Sequence, residues 1–189
     1  MAVYIILGWG ATPKNDWFPY LKKKLQEKGY KVKVPLMPDI DNPKIKPWVN
    51  KLKSFKVNYD TIFVGHSVGC QTILRFLENF PEKINMVILV APWITINKDN
   101  LDENEEWSVA KPWSETPIDY KKIKNKVRKF IVIYSEDDPF AIEKDIKKLI
   151  KDLNAKEVNV GKKGHICEGD GIKTLPEALK FFKKIKKEY

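Results

Sequence analysis

Short apolar runs alternate along this chain with longer stretches whose apolar residues recur every three or four positions. Val3–Leu7 (VYIIL), Thr61–Val64 (TIFV), Met86–Val90 (MVILV) and Phe130–Tyr134 (FIVIY) are nearly continuous apolar runs, as expected of strands covered on both faces. Lys31–Pro35 (KVKVP) alternates and Glu157–Val160 (EVNV) is half polar, so these two read as outer strands. Between the runs lie helical patterns. Asp16–Lys28 carries Trp17, Leu21 and Leu25, with Gly29 as a stop; Pro47–Phe55 carries Trp48, Leu52 and Phe55. Val68–Phe80 carries Ile73, Leu74, Leu77 and Phe80 before Pro81. Ala141–Leu153 and Leu175–Ile185 complete the set. Strands alternating with helices predict an α/β fold, a doubly wound and mostly parallel six-stranded sheet with helices on both faces.

One stretch breaks this rhythm. Residues 92–117 hold Trp93, Trp107 and Trp113 and the acids Asp99, Asp102, Glu103, Glu105 and Glu106, with no clear period. Irregular segments of this length in compact domains are often lids or binding loops. The chain of 189 residues is expected to be one domain, 1–189, with a short lid-like crossover at about 92–117.

Composition narrows the functional classes. With 43% hydrophobic residues a real core is available. No apolar run approaches the length of a membrane span. The opening residues MAVYIILGWG lack a charged n-region and a cleavage site, so no signal peptide is expected. Two cysteines, Cys70 and Cys167, give no disulfide framework. A cytoplasmic monomer or small homo-oligomer is the expectation. The net charge is +10, but only Arg75 and Arg128 among the 35 basic residues are arginine. Phosphate and base-edge readers favour the bidentate guanidinium. The lysines fall on the polar sides of the helical patterns, so no nucleic-acid partner is expected.

The chemistry concentrates at Gly65-His66-Ser67-Val68-Gly69. A G-x-S-x-G between a buried strand and a helix is the nucleophile elbow of an α/β-hydrolase. The sharp turn strains the serine backbone, and strand and helix approach too closely for a Cβ at either glycine. A serine needs a base at neutral pH. His66 adjoins Ser67, and neighbouring side chains at such a turn diverge. His165, between the last strand and the last helix, is therefore the base. The acid should follow an intervening strand. Asp138, before Pro139 in Ser135-Glu136-Asp137-Asp138-Pro139-Phe140, is the first choice, Asp137 the second and Asp99 the third. The oxyanion hole needs the N–H of Val68 and one from the loop Leu7–Pro13, where Trp9 is chosen. Gly8-x-Gly10 also suggests a dinucleotide fingerprint, but Pro13 stands at the third glycine position and the nearest acid after the second strand, Asp39, comes too late. No ligand set for a metal and no P-loop is present, so no metal or cofactor is expected.

These motifs together resemble the small serine hydrolases related to retinoblastoma-binding protein 9. The resemblance rests on ILGWGATP followed by Asp16-Trp17-Phe18-Pro19-Tyr20-Leu21, on VGHSVGC, on the Ser-Glu-Asp-Asp-Pro-Phe loop and on Gly164-His165. It implies a six-stranded sheet without a cap domain and hydrolysis of short acyl esters by Ser67, Asp138 and His165, with Trp9 and Val68 as backbone donors. Leu7 stands where the family often has histidine. The L-x-C-x-E motif is absent, so no retinoblastoma-type partner is expected. The second functional expectation, from another class, is a hydrolase-fold binding or scaffold protein with little turnover.

Overall fold

The computed structural model describes residues 1–101 and 105–185. Its strands are β1 (Ala2–Ile6), β2 (Lys31–Lys33), β3 (Ile62–His66), β4 (Ile84–Val90), β5 (Val127–Tyr134) and β6 (Lys156–Asn159). Its helices are α1 (Phe18–Glu27), α2 (Ile45–Lys53), α3 (Val68–Asn79), α4 (Glu105–Glu115), α5 (Tyr120–Lys124), α6 (Glu143–Leu153) and α7 (Pro176–Leu179). The strands form one sheet in the order β2-β1-β3-β4-β5-β6, every neighbouring pair parallel. The chain therefore has the predicted α/β architecture, that of an α/β-hydrolase.

The apolar runs lie where both faces of the sheet are covered. β3 and β4 are buried at every residue, whereas β2 and β6 at the edges alternate or face water. The helices fall into two groups, α1 with α7, and a row of α2, α3, α5 and α6. Winding changes direction between β1 and β3. At such a switch point the loops leaving the two strands part and open a crevice at the carboxyl edge of the sheet. The loop after β1 and the elbow after β3 flank that crevice.

α3 is buried along almost its whole length, from Val68 to Leu77. It carries two polar anchors. Gln71 Nε2 donates to the carbonyls of Trp93 and Ile94 at 3.1 and 3.3 Å. The buried Arg75 guanidinium donates to the carbonyls of Trp113, Thr116 and Pro117 and to Gln71 Oε1. Both ends of the 92–117 crossover are thus tied to α3. Among the described residues, no helix is long and apolar enough to cross a membrane.

Two expectations need correction. The crossover is not wholly irregular: it holds a helical turn at Lys98–Asn100 and then α4, which contains Pro112. That proline, which normally ends helices, sits in the last turns, and Arg75 takes up the carbonyls that follow. At the other end of the chain, the helix expected over Leu175–Ile185 is only α7. Beyond it the Ile185 N–H donates to Lys28 O at 2.9 Å, and Lys183 O accepts from the Tyr30 hydroxyl at 3.0 Å. Docking on the end of α1 takes the backbone groups that a longer helix would need.

Candidate active site

Ser67 joins β3 to α3 with φ 53° and ψ −125°, outside the regions favourable to a residue with a side chain. Its N–H donates to Val90 O at 3.0 Å, and its carbonyl accepts from the Cys70 N–H at 2.9 Å. Packing enforces the turn. A Cβ on Gly65 would lie 2.7 Å from Ile73 Cδ1 and 2.9 Å from the Cys70 nitrogen. A Cβ on Gly69 would lie 2.4 Å from Leu7 O and 2.6 Å from Ile6 O. The first glycine lets α3 close on its own strand, and the second lets it close on β1. Cys70 is buried and bonds Val90 O, and burial pushes its thiol well above the usual range. It is not a thiolate.

His165 meets an acid on its far side. Its Nδ1 lies 2.9 and 3.0 Å from the two carboxylate oxygens of Asp138, whose side chain is almost wholly buried. A carboxylate accepts, so Nδ1 carries a proton, and in the neutral imidazole Nε2 is left as the acceptor. Asp138 Oδ1 also accepts from the Phe140 N–H at 3.0 Å, and the Phe140 ring packs edge-on against His165. Asp137 does other work. Its Oδ1 accepts from the Ser135 hydroxyl at 2.7 Å and the Gly164 N–H at 2.9 Å. These bonds, the Ser135 hydroxyl foremost, hold its pKa below the usual carboxylate value. Asp99 lies in the 98–100 turn, capped by Asn97, and takes no part in the His165 contacts.

The backbone that carries His165 is clasped from several sides. The Lys163 N–H donates to Ser135 Oγ at 2.7 Å. The His165 carbonyl lies 3.0 Å from His66 Nε2, and the Ile166 carbonyl accepts from the Trp17 indole at 3.1 Å. Ile166 sits at φ 54°, where a β-branched residue is held only if its surroundings over-determine it. His66 faces this loop, not the serine hydroxyl. Burial, and next the charge of His165, push its pKa down to about 3. It is neutral, with its one proton on Nε2. Among the described residues its Nδ1 is buried without a hydrogen-bond partner, 3.9 Å from Asp16 Oδ2.

Ser67 and His165 open onto one cavity of about 240 Å³, walled by Trp9, Trp93, Ile96, Leu101 and Phe140 and with Glu106 on its lining. Among the described residues, the hydrogen bond to Ser67 Oγ comes from the Trp93 indole N–H at 3.1 Å, not from His165. Val68 is the first residue of α3, so its N–H is among the groups a helix leaves without an internal partner. Trp9 follows Gly8, whose backbone runs so close to the elbow that a Cβ there would lie 3.3 Å from Ser67 Cβ. The Trp9 indole donates to Asp41 O at 2.9 Å, which fixes this loop.

Of the five residues singled out from the sequence, Trp9, Ser67 and His165 line this cavity; Asp138 is joined to it through His165 Nδ1 and itself lines a separate pocket, and Val68 follows Ser67 at the start of α3. Such a set can transfer a proton from a hydroxyl to an imidazole beside a carbonyl. Trp17 and Trp113 are core residues and do not line the cavity. Trp17 packs on Phe18 and His66, and Trp113 packs on Trp48 and donates to Pro43 O. Trp107 lies against Lys98. Asp102 and Glu103 lie outside the described residues. The bond from Trp93 to the serine and the clasp by His66 and Trp17 had no signature in the sequence. Among the described residues, no group of three or more His, Cys, Asp or Glu side chains could hold a metal ion.

A family model described as serine hydrolase matches residues 3–184. The Bacillus subtilis (strain 168) protein YdeN, whose name calls it a hydrolase, is 33% identical over 183 residues, 92% of this chain and 90% of its own. The crystal structure of the YdeN gene product matches with a TM-score of 0.86 over 95% of each chain, at 29% identity. Est1E from Butyrivibrio proteoclasticus, solved with ferulic acid bound, matches with a TM-score of 0.68 over 88% of this chain and 82% of that one. Its identity is 13%, and the likeness is one of fold.

Proposed function

The chain belongs to the serine hydrolase family, and we propose that it is a carboxylesterase cleaving small esters through an acyl-enzyme on Ser67. Within the family it resembles the compact enzymes around retinoblastoma-binding protein 9. One juxtaposition carries the proposal: Ser67 at φ 53° opens onto the same cavity as a His165 whose Nδ1 lies 2.9 Å from Asp138.

In the proposed cycle His165 Nε2 takes the hydroxyl proton while Ser67 Oγ attacks the ester carbonyl. The N–H groups of Trp9 and Val68 receive the oxyanion. One such donor typically contributes about 3–4 kcal/mol to the transition state. Collapse expels the alcohol, which takes its proton from His165. Water, deprotonated by His165, then attacks the acyl carbon and releases the acid and free Ser67. Asp138 holds the ring with Nε2 toward the serine and stabilises the imidazolium. The aromatic and aliphatic walls of the cavity suit a compact apolar acyl group.

Initial rates on p-nitrophenyl butyrate test this. Turnover by the wild type should drop below about a hundredth in both Ser67→Ala and His165→Ala, because members of a triad act as a unit. A binding protein on a hydrolase fold would show no turnover in the wild type, and that result would overturn the proposal.

A further inference from the structure

We infer that Trp93 is a catalytic residue whose indole N–H acts on the nucleophilic oxygen itself. The inference rests on Ser67 being the nucleophile. Trp93 Nε1 lies 3.1 Å from Ser67 Oγ, and the side chain is buried in the cavity wall. Its position is set from two directions. Ala91, two residues earlier, takes φ 46° at the end of β4 with its N–H on Ile133 O. Gln71 Nε2 holds the Trp93 carbonyl at 3.1 Å, and Arg75 Nη2 holds Gln71 Oε1 at 3.0 Å. Arg75 has only donors, so Gln71 must present its oxygen to Arg75 and its nitrogen to Trp93. The indole is thus fixed by a chain of oriented bonds running back into α3.

An indole N–H can only donate. Ser67 Oγ must therefore accept from it, and the hydroxyl proton is left to point elsewhere. In the neutral imidazole, whose one proton lies on Nδ1 toward Asp138, His165 Nε2 is an acceptor on the same cavity. Trp93 in this way selects the hydroxyl orientation that general-base catalysis requires. It also serves the second half of the cycle. There the bond between the acyl carbon and Oγ breaks, the electron pair goes to Oγ, and His165 returns a proton to it. A fixed N–H on that oxygen stabilises the charge as it develops. By microscopic reversibility the same donor assists proton loss from Oγ during acylation.

The test measures second-order labelling by an alkyl fluorophosphonate together with kcat and KM on p-nitrophenyl butyrate. It compares wild type, Trp93→Phe, and a protein carrying 3-benzothienylalanine at position 93. The last keeps the shape of the indole and replaces N–H by sulfur, so packing is retained even where phenylalanine leaves a void. Both replacements should slow labelling and lower kcat by about 10- to 100-fold, the worth of a hydrogen bond to a developing charge, with KM little changed. If the benzothienyl protein labels and turns over within about twofold of wild type, the N–H has no catalytic role, whatever phenylalanine does. A wild type that neither labels nor turns over would instead remove Ser67 as the nucleophile. The two failures are therefore distinguishable.

Discussion

His66 should make the protein acid-sensitive in a way that a single substitution removes. The imidazole is buried and neutral in the folded chain, with its pKa pushed down to about 3 by burial. In the unfolded chain it titrates near about 6.5. Below that value the unfolded state binds a proton that the folded state does not. Stability is therefore intact above about pH 6.5 and is lost as pH falls from there toward 3. The slope approaches about 1.4 kcal/mol per pH unit, which amounts to about 2 kcal/mol between pH 7 and pH 5. The control is His66→Gln, which keeps an N–H to reach the His165 carbonyl and does not titrate. Urea unfolding followed by tryptophan fluorescence at pH 7 and pH 5 isolates the effect, since the carboxylates and His165 are common to both proteins. Wild type should lose about 2 kcal/mol more than His66→Gln over this interval. Equal losses, within about 0.5 kcal/mol, would refute a neutral buried His66.

Other substitutions separate neighbours that look alike in sequence. Asp138→Asn should cost about 10⁴-fold in kcat by mispresenting the His165 tautomer. Asp137→Asn, which keeps the oxygen that Ser135 and Gly164 bond, should stay near wild type in the same assay; the reverse order would move the acid by one residue. His66→Ala should reduce turnover far less than His165→Ala, and equal losses would mean that His66 touches the reaction. On a series of p-nitrophenyl esters, kcat/KM should peak at roughly two to six acyl carbons, each methylene that fits adding about 0.8 kcal/mol until the pocket fills. A steady rise to long chains would show that the 92–117 crossover opens as a lipase lid.

Much of this arrangement is legible in one dimension, for physical reasons. Short continuous apolar runs of strand length, rich in β-branched residues, fit a sheet covered on both faces, so β1, β3, β4 and β5 stand out. G-x-S-x-G marks the one place where α3 must close on two strands at once, and the Cβ clashes at Gly65 and Gly69 show why. Strand ends are less legible because pairing sets them. β5 starts at Val127, opposite Ile84, although Arg128 and Lys129 face water. α4 is obscured by Pro112, and the residues after α7 give up their helical pattern to dock on α1. Asp137 and Asp138 are adjacent acids in one loop, and only the direction of each carboxylate tells them apart. The indole bonds of Trp17 and Trp93 reach Ile166 and Ser67, 149 and 26 residues away. No local pattern encodes such pairings.

The central claim is that Ser67 is the nucleophile, and covalent labelling of the native protein tests it most directly. Wild type treated with an alkyl fluorophosphonate should gain the mass of a single adduct, and peptide mapping should place that adduct on Ser67. Ser67→Ala, folded to the same thermal midpoint, should gain none. A folded wild type that stays unlabelled, or an adduct that persists in Ser67→Ala, would contradict the account.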